Sequence, residues 1–225
     1  MKLPKNRNVL VIGDLHEPFT LTEYKLHCEY MYKKWKCNMV VFLGDIMDNH
    51  YISFFDVDPN GFGAQEEFDR AKRHIEDWYK TFPNAIVTLG NHDVRPRRQA
   101  FKSGLVDSWL KPIDEALGTP GWDFVNEYIL DGVLYVHGMG RVAHKRMLQD
   151  GVSVVQGHYH SDSSIRYDVG RDSTKFSMQV GCGFDRESFA AAYGKNFKYQ
   201  HHNVGVVLDN GRLPILEYMD LILTK

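Results

Sequence analysis

The residues best equipped for chemistry recur at one kind of place, just beyond short apolar runs. Val11-Ile12-Gly13-Asp14-Leu15-His16 sets a carboxylate and an imidazole two residues apart, and Phe42-Leu43-Gly44-Asp45-Ile46-Met47-Asp48 ends a later run with two carboxylates. Leu89-Gly90-Asn91-His92-Asp93 is the third cluster, Val136-His137-Gly138 the fourth and Gly157-His158-Tyr159-His160 the fifth. Asp, Asn and His together form an oxygen and nitrogen donor set. It suits Mn²⁺, Fe, Zn²⁺, Co²⁺ or Ni²⁺ and not calcium, and no cysteine is placed to make a soft site. Asp14, His16, Asp45, Asn91, His137, His158 and His160 are seven ligands, too many for one ion and right for two that share a carboxylate. Two ions roughly 3.5–4 Å apart are the usual clamp for attack on phosphorus. A single His, or an Asp-x-His pair alone, is ordinarily structural. Five clusters at strand ends are not explained that way.

The elements that must carry these clusters follow from periodicity. Val9–Ile12, Met39–Leu43 and Ala85–Leu89 are apolar runs closed by glycine or bounded by polar residues, and read as buried strands. Between them, residues 20–37 place Leu21, Tyr24, Cys28, Met31, Tyr32 and Trp35 at helical spacing, with Thr20 or Thr22 as the cap and Glu23 three residues beyond Thr20 as a capping box requires. Residues 65–81 form a second amphipathic helix. Helices alternating with apolar strands imply an α/β sheet with mostly parallel pairing. A further helix is expected over 99–117, bent or broken near Pro112. From Trp122 the texture changes to short strands at 125–130, 133–136, 152–156, 163–167, 175–180, 204–208 and 213–218, interrupted by one helix at 142–149. Asp131-Gly132 and Asn210-Gly211 are hairpin turns, so this half is partly antiparallel and forms a second sheet packed on the first. The chemical residues then sit at the carboxyl ends of strands, where such sheets open their ligand crevices. Gly13, Gly44, Gly90 and Gly157 let the chain turn sharply and let side chains converge without a Cβ clash.

Bulk properties narrow the field. One domain over 1–225 is the expectation at this length. With 43 % hydrophobic residues and ordinary Gly and Pro content, collagen, coiled coil and disorder are excluded. A net charge of −2 is too neutral for coating nucleic acid by bulk charge but leaves room for a local basic patch. Three cysteines are read as reduced thiols, and with no signal-peptide core or membrane-length apolar run the expected location is cytoplasmic, with no membrane partner and no evident obligate protein partner.

The five segments resemble the calcineurin-like metallophosphoesterase superfamily, whose signature runs Asp-x-His, Gly-Asp-x-x-Asp, Gly-Asn-His-Asp/Glu, a later His, then Gly-His-x-His. All blocks occur here in family order between positions 13 and 160. The resemblance implies an α/β, four-layer α-β-β-α metallophosphoesterase fold with two packed mixed sheets. It implies two divalent transition metal ions, with Mn the first choice and Fe, Zn, Co or Ni the others. Asp14, His16 and His160 would hold the first ion and Asn91, His137 and His158 the second, with Asp45 bridging. His92 resembles the family's catalytic histidine, and Asp48 the carboxylate that orients it. The implied reaction is one-step hydrolysis, a hydroxide between the ions attacking phosphorus in line with no covalent phosphoenzyme. Asp93 either supports a metal ligand from behind or closes its loop by accepting backbone hydrogen bonds.

The substrate is read from what surrounds these blocks. Asp48-Asn49-His50 stands where the protein phosphatases of the superfamily carry Asp-Arg-Gly, and Asp93 where they carry Glu. The missing arginine removes a bidentate clamp for a dianionic monoester. The double-strand-break nuclease branch carries His where Asp48 stands, so that branch is not matched cleanly either. Arg95-Pro96-Arg97-Arg98 begins three residues after His92 and could grip phosphates flanking the scissile bond, or could be a solvated helix start. Arg141, Lys145, Lys195 and Lys198 could extend this patch, His50 and Tyr51 could approach substrate, and Phe54, Phe55 and Phe62 could stack on a base with Tyr51. The expected activity is that of a phosphodiesterase or nuclease on DNA, RNA or nucleotides. The alternatives are a phosphomonoesterase, and a non-catalytic interaction module whose metal site would have to be damaged.

Overall fold

Strand and helix alternate from the first residues of the computed structural model, which describes residues 3–54, 57–189, 191 and 199–219. In chain order the main elements are β1 (Val9–Ile12), α1 (Thr22–Lys34), β2 (Met39–Phe42), α2 (Ala64–Thr81), β3 (Ala85–Thr88), α3 (Arg95–Lys102), α4 (Ile113–Leu117), β4 (Trp122–Val125), β5 (Glu127–Leu130) and β6 (Val133–Val136). They continue with α5 (Ala143–Asp150), β7 (Ser153–Gln156), β8 (Ser164–Val169), β9 (Thr174–Gln179), β10 (Asn203–Leu208) and β11 (Leu213–Tyr218). The first sheet has the order β11-β10-β1-β2-β3-β4 and the second β5-β6-β7-β9-β8. β1 to β4 run parallel, with β10 and β11 added antiparallel at one edge. In the second sheet β6, β7 and β9 are parallel, flanked by antiparallel β5 and β8.

The two-residue period of the strands explains the layers. Val9, Val11, Met39 and Val41 meet Val133, Tyr135, Val155 and Met178 of the second sheet in one apolar cluster. Leu10, Ile12, Val40 and Phe42, one residue out of phase, face α1 and α2 through Tyr24, Cys28, Ile75 and Trp78. On the far side Leu134, Val136 and Val154 are covered by Ala143 and Met147 of α5. Helices, sheet, sheet and helix make the four-layer α-β-β-α architecture. Among the described residues no helix is long and apolar enough to cross a membrane.

Three local expectations change. The run at 125–130 is two strands, because the chain crosses between sheets at Asn126: β4 pairs with β3 and β5 with β6. The helix expected over 99–117 starts earlier, at Arg95 with Pro96 in its first turn, and ends at Lys102. A 3₁₀ turn (Asp107–Trp109) and the short α4 follow, α4 starting after Pro112. α1 lacks the capping box, since the Thr20 hydroxyl donates to the carbonyl of Leu15 and Leu21 is the N-cap residue. The hairpin reading at Asp131-Gly132 stands, both residues having the positive φ that a tight β5–β6 turn needs. Trp122 packs in the core at 2 % exposure, whereas Trp109 is 78 % exposed.

Candidate metal centre

The loops after β1, β2, β3, β6 and β7 are latched to one another before any ion is considered. The amides of Leu15 and His16 donate to the carbonyl of Asp45 at 3.1 and 2.8 Å, tying the β1 loop to the β2 loop. The Asp93 carboxylate accepts from the amides of Asp45, Ile46 and Gly90 at 2.8–2.9 Å, closing its loop onto β2. Two glycines make room for the ligands themselves. A Cβ on Gly90 would stand 2.1 Å from Asp45 Oδ1, and one on Gly157 2.4 Å from Asp14 Oδ1.

The seven ligand candidates converge. His160 Nε2 lies 3.0 Å from Asp14 Oδ2 and 3.3 Å from His16 Nε2. His137 Nε2 lies 3.0 Å from Asn91 Oδ1, 3.1 Å from His158 Nδ1 and 3.4 Å from Asp45 Oδ2. The same Asp45 oxygen is 3.7 Å from His16 Nε2, so this carboxylate stands between the two groups. The far ring nitrogens decide the tautomers. His16 Nδ1 donates to Asp48 Oδ1 at 2.7 Å, and His137 Nδ1 donates to the carbonyl of Leu43 at 2.7 Å. Each Nε2 therefore presents a lone pair inward, as outer partners arrange for metal-bound histidines. Asn91 Oδ1, His158 Nδ1 and Asp45 Oδ2 thus gather around His137 Nε2, a group of donor atoms able to hold a divalent cation.

Electrostatics agree. Burial alone would raise the pKa of Asp45, but His137, His92 and His16 hold it well below the usual carboxylate range. Burial likewise opposes charge on Asp14, and His137 and His160 outweigh it. Burial, and then His92, lowers the pKa of His16 against the raising effect of Asp48. Asp93 is pushed up to about 6 by burial and by Asp45.

His92 sits beside this cluster. Its Nδ1 donates to the carbonyl of Asp48 at 2.7 Å, with Asp48 Oδ1 at 3.1 Å, so Asp48 serves His16 and His92 together. Burial disfavours a charged His92 ring, but Asp45 and Asp48 more than offset that and raise its pKa. Nε2 accepts a hydrogen bond from Arg95 Nη2 at 2.9 Å. Arg95 is only 4 % exposed, and its Nη1 donates to the carbonyls of Asp48 and Asn49.

The arginine cluster thus divides. Arg95 enters the site, Arg97 turns outward to Asp107, and Arg98 lies 4.8 Å from the ring of Phe54, which Lys102 also covers. His50 is buried with Nδ1 3.9 Å from Asp48 Oδ2, and Tyr51 is 52 % exposed; both backbone amides donate to Glu67. Arg141 is exposed on the loop after His137, its carbonyl accepting from Gln156. Phe62 is packed against Phe19 and under Arg70, and is not presented to a base. Phe55, Lys195 and Lys198 lie outside the described residues. One neighbour carries no sequence signal: Cys182 is buried, its thiol donating to Gln200 Oε1 at 3.8 Å and its carbonyl accepting from His202 Nδ1 at 3.0 Å, and although burial raises the thiol's pKa, His160 and His202 outweigh it and bring it to about 7.

The family profile for calcineurin-like phosphoesterases matches residues 7–208. The chain belongs to this family. Solved structures with a similar fold include three Vps29 proteins. That of Cryptosporidium parvum is 14 % identical with a TM-score of 0.49, covering 96 % of this chain and 93 % of its own. Those of Chaetomium thermophilum (12 %, TM-score 0.46, 96 % and 97 % covered) and Entamoeba histolytica (a single mutant; 13 %, 0.44, 95 % and 99 %) are comparable. A comparison with curated proteins finds no match. The calcineurin-like phosphoesterase blocks are thus intact in sequence and assembled in space, with clusters of His and Asp able to hold divalent metal ions.

Proposed function

We propose that this calcineurin-like phosphoesterase is a metal-dependent hydrolase of phosphate esters, acting on the phosphodiesters of nucleic acids or nucleotides. The observation that carries the reading is the complete donor set converging beside His92 and Arg95. Asp14, His16 and His160 would hold one ion and Asn91, His137 and His158 the other, with Asp45 shared. Bound there, two divalent ions, Mn²⁺ being our choice, supply charge stabilisation and an acidified water.

The remaining chemistry belongs to the chain. Asp48 fixes His92 by its carbonyl and carboxylate, leaving Nε2 as the atom that takes and returns a proton. Arg95 holds that nitrogen until a phosphoryl oxygen offers the guanidinium a charged acceptor, and its departure frees Nε2 to take a proton from water and pass it to the leaving oxygen. Arg95, Arg98 and Lys102 stand at i, i+3 and i+7 of α3, one helix face leading away from the site. Such a stripe suits the flanking phosphates of a polymer in a protein of net charge −2. Cytoplasmic residence belongs to the same reading.

A second reading, monoester hydrolysis, gains from one contact. The Arg95 guanidinium reaches the carbonyl of Asn49, so an arginine missing from the second block is supplied by the third. A non-catalytic role has no comparable support, since every ligand position is filled by a competent donor. Matched rates on bis-p-nitrophenyl phosphate and p-nitrophenyl phosphate, with metal-stripped protein reloaded with Mn²⁺, test the reading. Diester preference is expected. Monoester preference overturns the choice of substrate, and absence of turnover with two metals bound overturns catalysis on these esters.

A further inference from the structure

Between α3 and the turn at Asp107–Trp109 lies an open groove of about 470 Å³ that none of the seven ligand candidates lines. Val94, Leu105 and Leu110 give it an apolar floor, with Phe101 beside them. Arg97, Arg98 and Lys102 line it against a single carboxylate, Asp107, and Arg97 already pairs with that. Arg98 and Lys102 have no carboxylate partner among the described residues; they lie over the ring of Phe54, at 4.8 and 4.0 Å. The groove therefore keeps two uncompensated cations, held in place against a ring. They continue the face of α3 that starts with Arg95, which reaches His92, and Lys102 stands about 10 Å further along the axis at ~1.5 Å per residue.

Exposed apolar side chains are the second feature of this edge. Residues 101–109 are all exposed, and they include Phe101, Leu105, Val106 and Trp109. A lone exposed apolar residue is ordinary, whereas a group of them marks a binding surface. Phe101 is 84 % exposed and stands one turn from both Arg97 and Arg98. A flat group can cover its ring while anionic groups on the same ligand reach Arg98 and Lys102.

We propose that this groove holds a single strand of nucleic acid as it leaves the metal centre, with phosphates on Arg98 and Lys102 and one base stacked on Phe101. A single strand offers both things the groove selects, an anionic backbone and accessible flat faces. A duplex offers the charge but keeps its base faces stacked inside. This path rests on the proposed hydrolysis of nucleic acid and narrows its substrate to a single strand.

Fluorescence anisotropy of labelled oligonucleotides on the metal-stripped full chain tests the proposal without turnover. Failure of stacking and failure of the proposed hydrolysis therefore fall in separate measurements. The probes are a short oligothymidylate, an abasic strand of the same length and a duplex of the same length. Oligothymidylate is expected to bind saturably, at least about five-fold more tightly than the abasic strand, the lower end of what one stacked base contributes. Phe101→Ala should remove that advantage and leave the affinities for the abasic strand and the duplex unchanged, and Phe101→Trp should retain it. Arg98→Ala/Lys102→Ala should weaken all three probes. Equal affinity for strands with and without bases, or a loss in Phe101→Ala shared by the abasic strand, overturns the proposal. So does a Phe101→Ala protein that keeps its affinity for oligothymidylate but no longer sediments with phosphatidylglycerol vesicles that capture the wild type, since this edge would then be a membrane contact.

Discussion

Arg95 Nη2 lies 2.9 Å from Nε2 of His92, so a buried guanidinium occupies the lone pair that a leaving-group proton would use. A proton and a guanidinium cannot share that lone pair. Arg95 must therefore move before His92 can act as an acid at Nε2, and an incoming phosphate oxygen is the natural acceptor to draw it off.

This makes Arg95 more than a steering charge. Arg95→Ala is expected to lower kcat/KM on bis-p-nitrophenyl phosphate by about 10²-fold, the scale of losing one preorganised donor in a low-dielectric site. Arg95→Lys should not restore it, because one ammonium cannot serve the carbonyls of Asp48 and Asn49 and the substrate together. Steady-state kinetics of the two variants decides; full rescue by lysine would mean that charge alone matters.

His92→Ala should cost roughly 10²–10⁴-fold in kcat, the usual contribution of a positioned acid or base. Metal content, counted by elemental analysis, should be unchanged, since the donor sets on both sides of Asp45 remain complete without His92. Loss of metal along with activity would instead place His92 among the ligands, a role raised by its grouping with His16 and Asp45.

The absent side chains at Gly90 and Gly157 should be as necessary as the ligands. Gly90→Ala drives a Cβ to 2.1 Å from Asp45 Oδ1, and Gly157→Ala to 2.4 Å from Asp14 Oδ1. Displacing a carboxylate of the donor set should weaken metal affinity by at least the roughly 10–100-fold seen when outer partners of ligands are lost. Competition with a chromogenic chelator measures it, and unchanged affinity would mean the loops relax freely.

The stripe on α3 makes a separate prediction. Arg98→Ala/Lys102→Ala should leave hydrolysis of bis-p-nitrophenyl phosphate intact while weakening single-stranded nucleic acid. Losing two phosphate contacts should reduce the slope of log affinity against log salt by about 1.4, at ~0.7 per phosphate. An unaltered slope would show that nucleic acid takes another path.

One ion pair couples stability to pH. Glu17, buried after β1, accepts from Trp78 Nε1 and pairs with His74 Nδ1 at 2.7 Å, and this hydrogen bond raises the His74 pKa against the lowering effect of burial. A histidine whose folded pKa is raised contributes fully below its unfolded pKa of about 6.5 and loses that contribution as pH rises through the folded value. With His74 half-exposed, screening limits the contribution to under about 1 kcal/mol. Denaturation of His74→Gln should therefore differ more from wild type near pH 5.5 than near pH 9, about one unit below and more than two units above the ordinary value. A gap that widens with pH would reverse the assignment.

The sequence by itself determined the seven ligand candidates, the order of the strands that carry them and the layered α/β character. The reason is local: an apolar run followed by glycine and a polar ligand states both the strand and the place where it ends. Gly90 and Gly157 were legible for the same reason. The tertiary structure alone decided the rest. Arg95, Arg97 and Arg98 are indistinguishable in sequence, yet helical phase sends one to His92, one to Asp107 and one to Phe54. The crossing between sheets at Asn126 and the Leu43 carbonyl that fixes the His137 tautomer are likewise set by contacts between distant segments. Local patterning encodes which residues can bind a metal. Which donor meets which acceptor depends on how separate loops are brought together, and that is set by the packing of two sheets.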